Sequence, residues 1–172
     1  MEKKSLLLLR HAKSDRNIEV EDWLRPLKKR GVQAAKDMGH WMVEQGLQPD
    51  LIISSPAKRA ISTAKKVCKA MELDASIIQQ DERVYNATVD LLKQVLRECP
   101  ASAGRVLLVG HNPALEALLT DLVQQPVDVP DDGKLLPTTA LAELQFSGAW
   151  SELESQSAAL VALTRVKTLQ TD

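Results

Sequence analysis

A chain of 172 residues lies within the span of one domain, so a single hydrophobic core is expected. Its apolar fraction of 44% and charged fraction of 26% are ordinary for a soluble globular protein, and a formal net charge of -1 gives no drive toward nucleic acid or membrane surfaces. The N-terminal lysines and leucines do not make a signal peptide, because four leucines before Arg10 are too short an apolar run and no small-residue cleavage site follows.

In chain order, Ser5–Leu9 is a continuous apolar run, which predicts a short strand buried on both faces. Leu27–Gly46 has the spacing of an amphipathic helix, with Val32, Ala35, Met38, Trp41 and Met42 on one face and Gly46 able to close its end. Pro49–Ser54 reads as a second buried strand. Pro56–Leu73 reads as a second helix, with Ile61, Ala64, Val67, Cys68 and Met71 facing the core. Ile77 and Ile78 open a third strand, and Val89–Glu98 is helical. Arg105–Val109 is again an apolar strand, and Pro113–Val123 is a helix that opens directly after it. The stretch 124–139 carries three prolines and a glycine and reads as a loop. Leu141–Phe146 alternates like a half-exposed strand, and Leu160–Val166 supplies the last strand.

Strands alternating with helices imply right-handed crossovers and a single-domain α/β fold, a three-layer α/β/α sandwich around a mainly parallel sheet. No stretch reaches membrane-spanning length. Cys68 and Cys99 match no metal or redox motif and read as buried, inert thiols, which suits a reducing cytosol as the expected address. His40, beside Trp41 in a helix without charged partners, reads as structural.

In sheets of this kind ligands sit beyond the carboxyl ends of the strands. Three such ends carry chemistry. Arg10-His11-Ala12-Lys13-Ser14 follows the first strand, Ser54-Ser55-Pro56-Ala57-Lys58-Arg59 the second, and Gly110-His111-Asn112-Pro113 the strand that ends at Val109. Two guanidiniums present forked, permanently charged donors suited to phosphate oxygens, and helix N-termini add backbone N–H groups. One imidazole is then available to attack phosphorus and the other to donate to an equatorial oxygen.

These residues resemble the histidine-phosphatase (phosphoglycerate-mutase-like) superfamily, whose signature after the first strand is Arg-His-Gly, and within it the compact SixA-like branch. The matching pieces are LLLLRHAKSD at 6–15, RPLKKRG at 25–31, LIISSPAKRAISTA at 51–64, DERVYNA at 81–87, VLLVGHNPALEALL at 106–119 and LPTTALAEL at 136–144. They keep the family's order, so the whole chain, 1–172, is expected to be one histidine-phosphatase domain with its motifs within about 5–146. The resemblance implies a phosphoglycerate-mutase-like fold, His11 as nucleophile, Arg10 and Arg59 as phosphate ligands, and His111 as the second histidine. Glu82 falls where the family places its proton donor, although Asp81 beside it is an alternative. Ser14 and Asn17 fall where some members make further phosphate contacts. Ala12 departs from the signature glycine, and a negative φ there would keep backbone N–H groups near a phosphate.

The expected activity is metal-independent phosphate removal through a phosphohistidine on His11, with no cofactor and no metal. The expected substrate is a phosphohistidine-bearing protein, because so short a chain has little room for the lid that a mutase or small-molecule phosphatase carries. A phosphatase for a small sugar or nucleotide phosphate is the alternative within enzymes. A non-catalytic phosphate-binding module would have lost one of the four core residues, and all four are present. A nicotinamide-nucleotide binder is excluded because no glycine-rich fingerprint follows the first strand.

Overall fold

A computed structural model describes residues 2–166. Its centre is β1 (Lys3–Arg10), which pairs in parallel with β4 (Arg105–Gly110) and antiparallel with β5 (Leu141–Ser147). Beyond β4 lie β2 (Leu51–Ser54) and the edge strand β3 (Ile78–Gln80), both parallel. Beyond β5 lies the antiparallel edge strand β6 (Ala158–Thr164), so the sheet order is β3-β2-β4-β1-β5-β6.

The apolar runs divide their side chains between two cores, as the two-residue strand period requires. Leu7, Leu9, Ile52, Leu107 and Val109 pack under α1 (Lys29–Glu44) and α2 (Lys58–Ala70). Leu6, Leu8, Leu51, Ile53, Val106 and Leu108 face the other way, against α3 (Val89–Arg97) and α4 (Ala114–Leu122). The expected three layers are present. The four leucines of β1 are fully buried, each worth roughly 1.5–3 kcal/mol, and they anchor the strand whose end carries Arg10 and His11.

Two helix starts differ from the sequence reading, for local reasons. α1 begins at Lys29 rather than Leu27, because residues 25–28 run extended beside the loop after β1. Pro26 holds Arg25 at φ −60, ψ 121, Leu27 forms an antiparallel bridge with Ser14, and Lys28 N–H donates to the Lys13 carbonyl at 2.9 Å. α2 begins at Lys58 rather than Pro56, after the Ser55 hydroxyl accepts from Ala57 N–H at 3.2 Å. β6 starts at Ala158 and stops at Thr164, two residues earlier at each end than read. At the far end of α1, Gly46 takes φ +68 and closes the helix as expected: its N–H reaches Val43 O, and Leu47 N–H reaches Met42 O.

Close approach explains two glycines of α1. A Cβ on Gly31 would lie 2.2 Å from the Lys13 carbonyl oxygen, and one on Gly39 would lie 2.7 Å from Ala70 Cβ of α2. Gly31 therefore lets the first turn of α1 press directly on the loop that follows β1. His40 is exposed on this helix instead of taking a packing role. Cys68 is buried, whereas Cys99 is only half-buried; burial is the main cause that pushes the Cys99 thiol up to about 11, which keeps it protonated. No helix among the described residues is long and apolar enough to cross a membrane.

Candidate active site

The carboxyl ends of β1, β2 and β4 converge. The His11 and His111 rings lie 5.2 Å apart, tilted by 54°. His11 is 7% exposed and Arg59 6%, so Arg59 is not the solvated helix residue it would be in isolation. Arg59 and Arg10 both depress the basicity of both imidazoles, which places the four groups within one electrostatic neighbourhood.

The backbone around the nucleophile candidate is held from both sides. His11 N–H donates to the Gly110 carbonyl of β4 at 3.1 Å, and Arg10 N–H donates to Ala140 O at 3.2 Å. In return Thr139 N–H reaches the carbonyls of Arg10 and His11, at 3.1 and 3.2 Å, from a turn in which Thr139 takes φ 63. The predicted loop 124–139 thus ends by fastening the site. Leu136 O accepts from Arg10 Nη1 at 3.2 Å and from Asn112 Nδ2 at 2.8 Å, and Leu136 N–H donates to Glu116 at 2.9 Å.

One hydrogen bond orients the His11 ring. Its Nδ1 lies 2.8 Å from the Ala12 carbonyl, which can only accept, so Nδ1 carries the proton and Nε2 keeps its lone pair. His111 Nε2 lies 2.7 Å from the Ser55 hydroxyl, while its Nδ1 is buried without a partner. Arg10 Nε and Arg59 Nε are likewise buried and unpartnered. Buried polar atoms are normally satisfied, so these three leave unused hydrogen-bonding capacity on three residues of one site.

The Ala12 N–H donates to Thr63 Oγ1 at 2.9 Å and so is already used within the protein. The φ of Ala12 is not positive, as replacement of the signature glycine requires, but this N–H is not free for phosphate. Ser14 is buried, and its hydroxyl accepts from Arg25 Nη1 at 2.5 Å. Asn17 is exposed, and its backbone N–H donates to Asp15 Oδ1. Asp81 is committed elsewhere: it accepts three bonds from Arg83, which hold its carboxyl below the usual range. Glu82 is exposed, its carboxylate without a hydrogen-bond partner among the described residues, on the short turn whose end its carbonyl closes by accepting from Tyr85 N–H at 3.1 Å.

Sequence reasoning missed two members of the site. Tyr85 packs edge-on against His111 at 5.7 Å, and its hydroxyl donates to Asp22 Oδ2 at 2.7 Å. Asp22 also receives Arg59, at its carbonyl at 2.7 Å and at Oδ2 at 3.0 Å, and Arg25 at Oδ1 at 3.1 Å. Asp22 thereby fixes the guanidinium plane of Arg59 through its two Nη groups, while the buried Nε stays unpartnered. Tyr85 was within a motif already marked, but nothing local distinguishes Asp22 from its acidic neighbours.

A pocket of about 290 Å³ opens here, lined by Arg10, His11, Lys13, Ser14, Arg16, Lys134, Pro137 and Thr138. A roomier recess of about 700 Å³ beside α4 is lined by Asp90, Glu116 and Asp121 with no cation, which makes it unfit for phosphate. The helix starts strengthen the contrast. α1 opens with Lys28, Lys29 and Arg30 and α2 with Lys58 and Arg59, and neither has an acid in its first turn or a side-chain cap. Cations against a helix N-terminus cost on the order of 0.3–1 kcal/mol each, so this edge concentrates positive charge at the expense of helix stability. Among the described residues no three His, Cys, Asp or Glu side chains gather to hold a metal.

Burial, chiefly, lowers His11 to about 3 and His111 to about 4. Both imidazoles are therefore neutral in the ligand-free protein near pH 7. In the unfolded chain they take up protons below about pH 6.5, so the stability they permit is full above that value and is lost as pH falls toward 4 and 3. An NMR titration of the ligand-free protein is expected to give no His11 or His111 midpoint between pH 5.5 and 8; a midpoint near 6.5 in either would refute the buried neutral pair.

Fold and site together give an α/β protein with paired histidines and arginines at the strand ends. The model for the histidine phosphatase superfamily (branch 1) matches residues 6–85. An uncharacterised protein of Mycobacterium tuberculosis is 29% identical over 157 residues, which cover 89% of this chain and 96% of that one. A SixA structure from Nakamurella multipartitia superposes with a TM-score of 0.83 at 27% identity, covering 96% of this chain and 97% of that one. Protein histidine phosphatase SixA in complex with tungstate gives 0.81 at 19% identity, covering 96% and 99%, and a mycobacterial glucosyl-3-phosphoglycerate phosphatase gives 0.67 at 19%, covering 92% and 97%. The chain is thus similar to the histidine phosphatase superfamily over residues 6–85, and its build is similar to that of SixA.

Proposed function

We propose that this protein is a metal-independent phosphatase that works through a phosphohistidine on His11 and acts on phosphohistidine carried by another protein. The observation that carries the reading is the His11 ring itself: Nδ1–H is tied to the Ala12 carbonyl, and Nε2 is left as a neutral nucleophile beside three unpartnered buried nitrogens. In the first step Nε2 attacks phosphorus, the N–P bond forms, and the bond from phosphorus to the leaving group breaks. Arg10, Arg59 and His111 Nδ1 stabilise the charge on the equatorial oxygens. Water then attacks phospho-His11, which releases phosphate and restores the imidazole. The cytosol, where thiols such as Cys68 and Cys99 stay reduced, is the compartment this reading assigns.

Glu82 is the proposed proton donor to the leaving group, because Asp81 is engaged by Arg83 and Glu82 is free. An exposed acid is a modest catalyst, and this favours a leaving group that needs little help. Imidazole departs from phosphorus far more readily than an alkoxide does, so phosphohistidine fits the site better than an alkyl ester. The second reading, a small sugar-phosphate phosphatase, is favoured by the similarity to the mycobacterial glucosyl-3-phosphoglycerate phosphatase.

A substrate panel run in the presence of a chelator separates the two. Phosphoramidate and a phosphohistidine protein are expected to turn over faster than sugar phosphates, and Glu82→Gln to slow alkyl-ester hydrolysis more than phosphoramidate hydrolysis. Saturable sugar-phosphate hydrolysis with inert phosphohistidine would overturn the first reading, and recovery of activity only on adding magnesium would overturn the metal-free mechanism.

A further inference from the structure

The pocket at the end of β1 holds more positive charge than one phosphoryl group uses. A phosphate monoester carries at most two negative charges near neutrality, and Arg10 with Arg59 already matches them. Lys13, Arg16 and Lys134 line the same pocket as Arg10 and His11, and no acidic residue lines it. None of the three has an ion-pair partner among the described residues. Asp132, the acid beside Lys134, is paired with Arg165.

Lys13 is also fixed in place. Its carbonyl accepts from Lys28 N–H, and Gly31 presses on its backbone from the first turn of α1. That turn brings Lys28 and Arg30 toward it. Burial, and then the like charges of Arg30, Lys28, Arg16 and Arg10, hold the Lys13 ammonium below its usual range. A protein that only needed a soluble rim would intersperse acids here. Crowded, unneutralised cations around a pocket concentrate anions.

We propose that Lys13, Arg16 and Lys134 form a second anion subsite beside the phosphoryl pocket, so that the substrate presents a further carboxylate or phosphate next to the group transferred. The inference rests on the phosphoryl reading of Arg10, His11 and Arg59 and adds the chemistry of what flanks that group. On a protein, the phosphorylated side chain lies beside an acidic or second phosphorylated residue.

The test is competitive inhibition of phosphoramidate hydrolysis by four probes. Inorganic phosphate and methylphosphonate present one anionic group; pyrophosphate and phosphonoacetate present two and differ in whether the second is phosphate or carboxylate. At least one two-group probe is expected to bind about tenfold more tightly than its one-group counterpart, roughly 1.4 kcal/mol, and to lose that margin at high salt. In Lys13→Ala/Lys134→Ala the ratio of the two inhibition constants is expected to fall to within about twofold. Lys134→Ala alone, a change on an exposed loop, is expected to lower the ratio if the double variant does not fold. Equal affinity of one- and two-group probes, or a margin that survives in both variants, overturns the subsite while leaving phosphoryl transfer intact. Absence of turnover together with no binding of any probe would instead strike the phosphoryl reading on which it stands.

Discussion

Replacing His11 with alanine is expected to reduce turnover by at least about a thousandfold, since no remaining group is placed to take the phosphoryl. The fold is expected to survive, because the backbone at this position is held by Gly110 and Thr139 and not by the ring. The ring's own hydrogen bond reaches only the next residue's carbonyl. Rapid acid and alkaline quenches of the wild-type protein with substrate should yield a phosphoprotein that is labile to acid and stable to base, absent from the variant. A His11→Ala protein with unchanged circular dichroism and substantial activity would end the nucleophile assignment.

Removal of either phosphate arginine is expected to weaken phosphate or vanadate binding by about 2–5 kcal/mol, the cost of truncating one partner of a desolvated charged pair. Arg59→Ala is expected to show the effect with little change in stability. Its Nη groups pair with Asp22, whose carboxylate retains Tyr85 and Arg25 when the guanidinium is gone. Arg10→Ala removes the donor to Leu136 O, which Asn112 still satisfies. Isothermal titration with vanadate measures both. Affinities within about threefold of wild type, or less than about 0.7 kcal/mol, would mean that the unpartnered Nε atoms do not face the anion.

The parts of this molecule that depend on local sequence were legible from it. Short continuous apolar runs bounded by polar and turn residues fit strands buried on both faces, so β1, β2 and β4 were legible, and the rule for parallel strands puts the residues after each at one edge. Where a local signal competed with a tertiary one, the sequence misled. The apolar spacing that begins at Leu27 has a helical period, yet the chain there prefers to bridge Ser14, a choice visible only once the loop after β1 is in place. Ser14, where the resemblance implies a phosphate contact, lines the pocket beside Arg10 and His11 while its hydroxyl accepts from Arg25. Asp22 and Tyr85 are 63 residues apart and meet over Arg59; no period or spacing encodes such a meeting. The surplus lysines were equally hidden, since Lys13 and Lys134 become neighbours only when the long loop folds back over the first strand.

That fold-back ties the competence of the site to the order in which the chain is made. Arg10 and His11 leave the ribosome about a hundred residues or more before the partners that fix their backbone, Gly110, Thr139 and Ala140. β1 gains its neighbour on one side with β4 and on the other only with β5, which ends at Ser147. Such distant pairings form late, because the loop they close must first be synthesised. A nascent chain therefore exposes an arginine and a histidine that are still floppy and solvated, with neither the lowered basicity nor the fixed ring that the finished pocket imposes. The lowered basicity and the fixed ring arrive together with the closing strands.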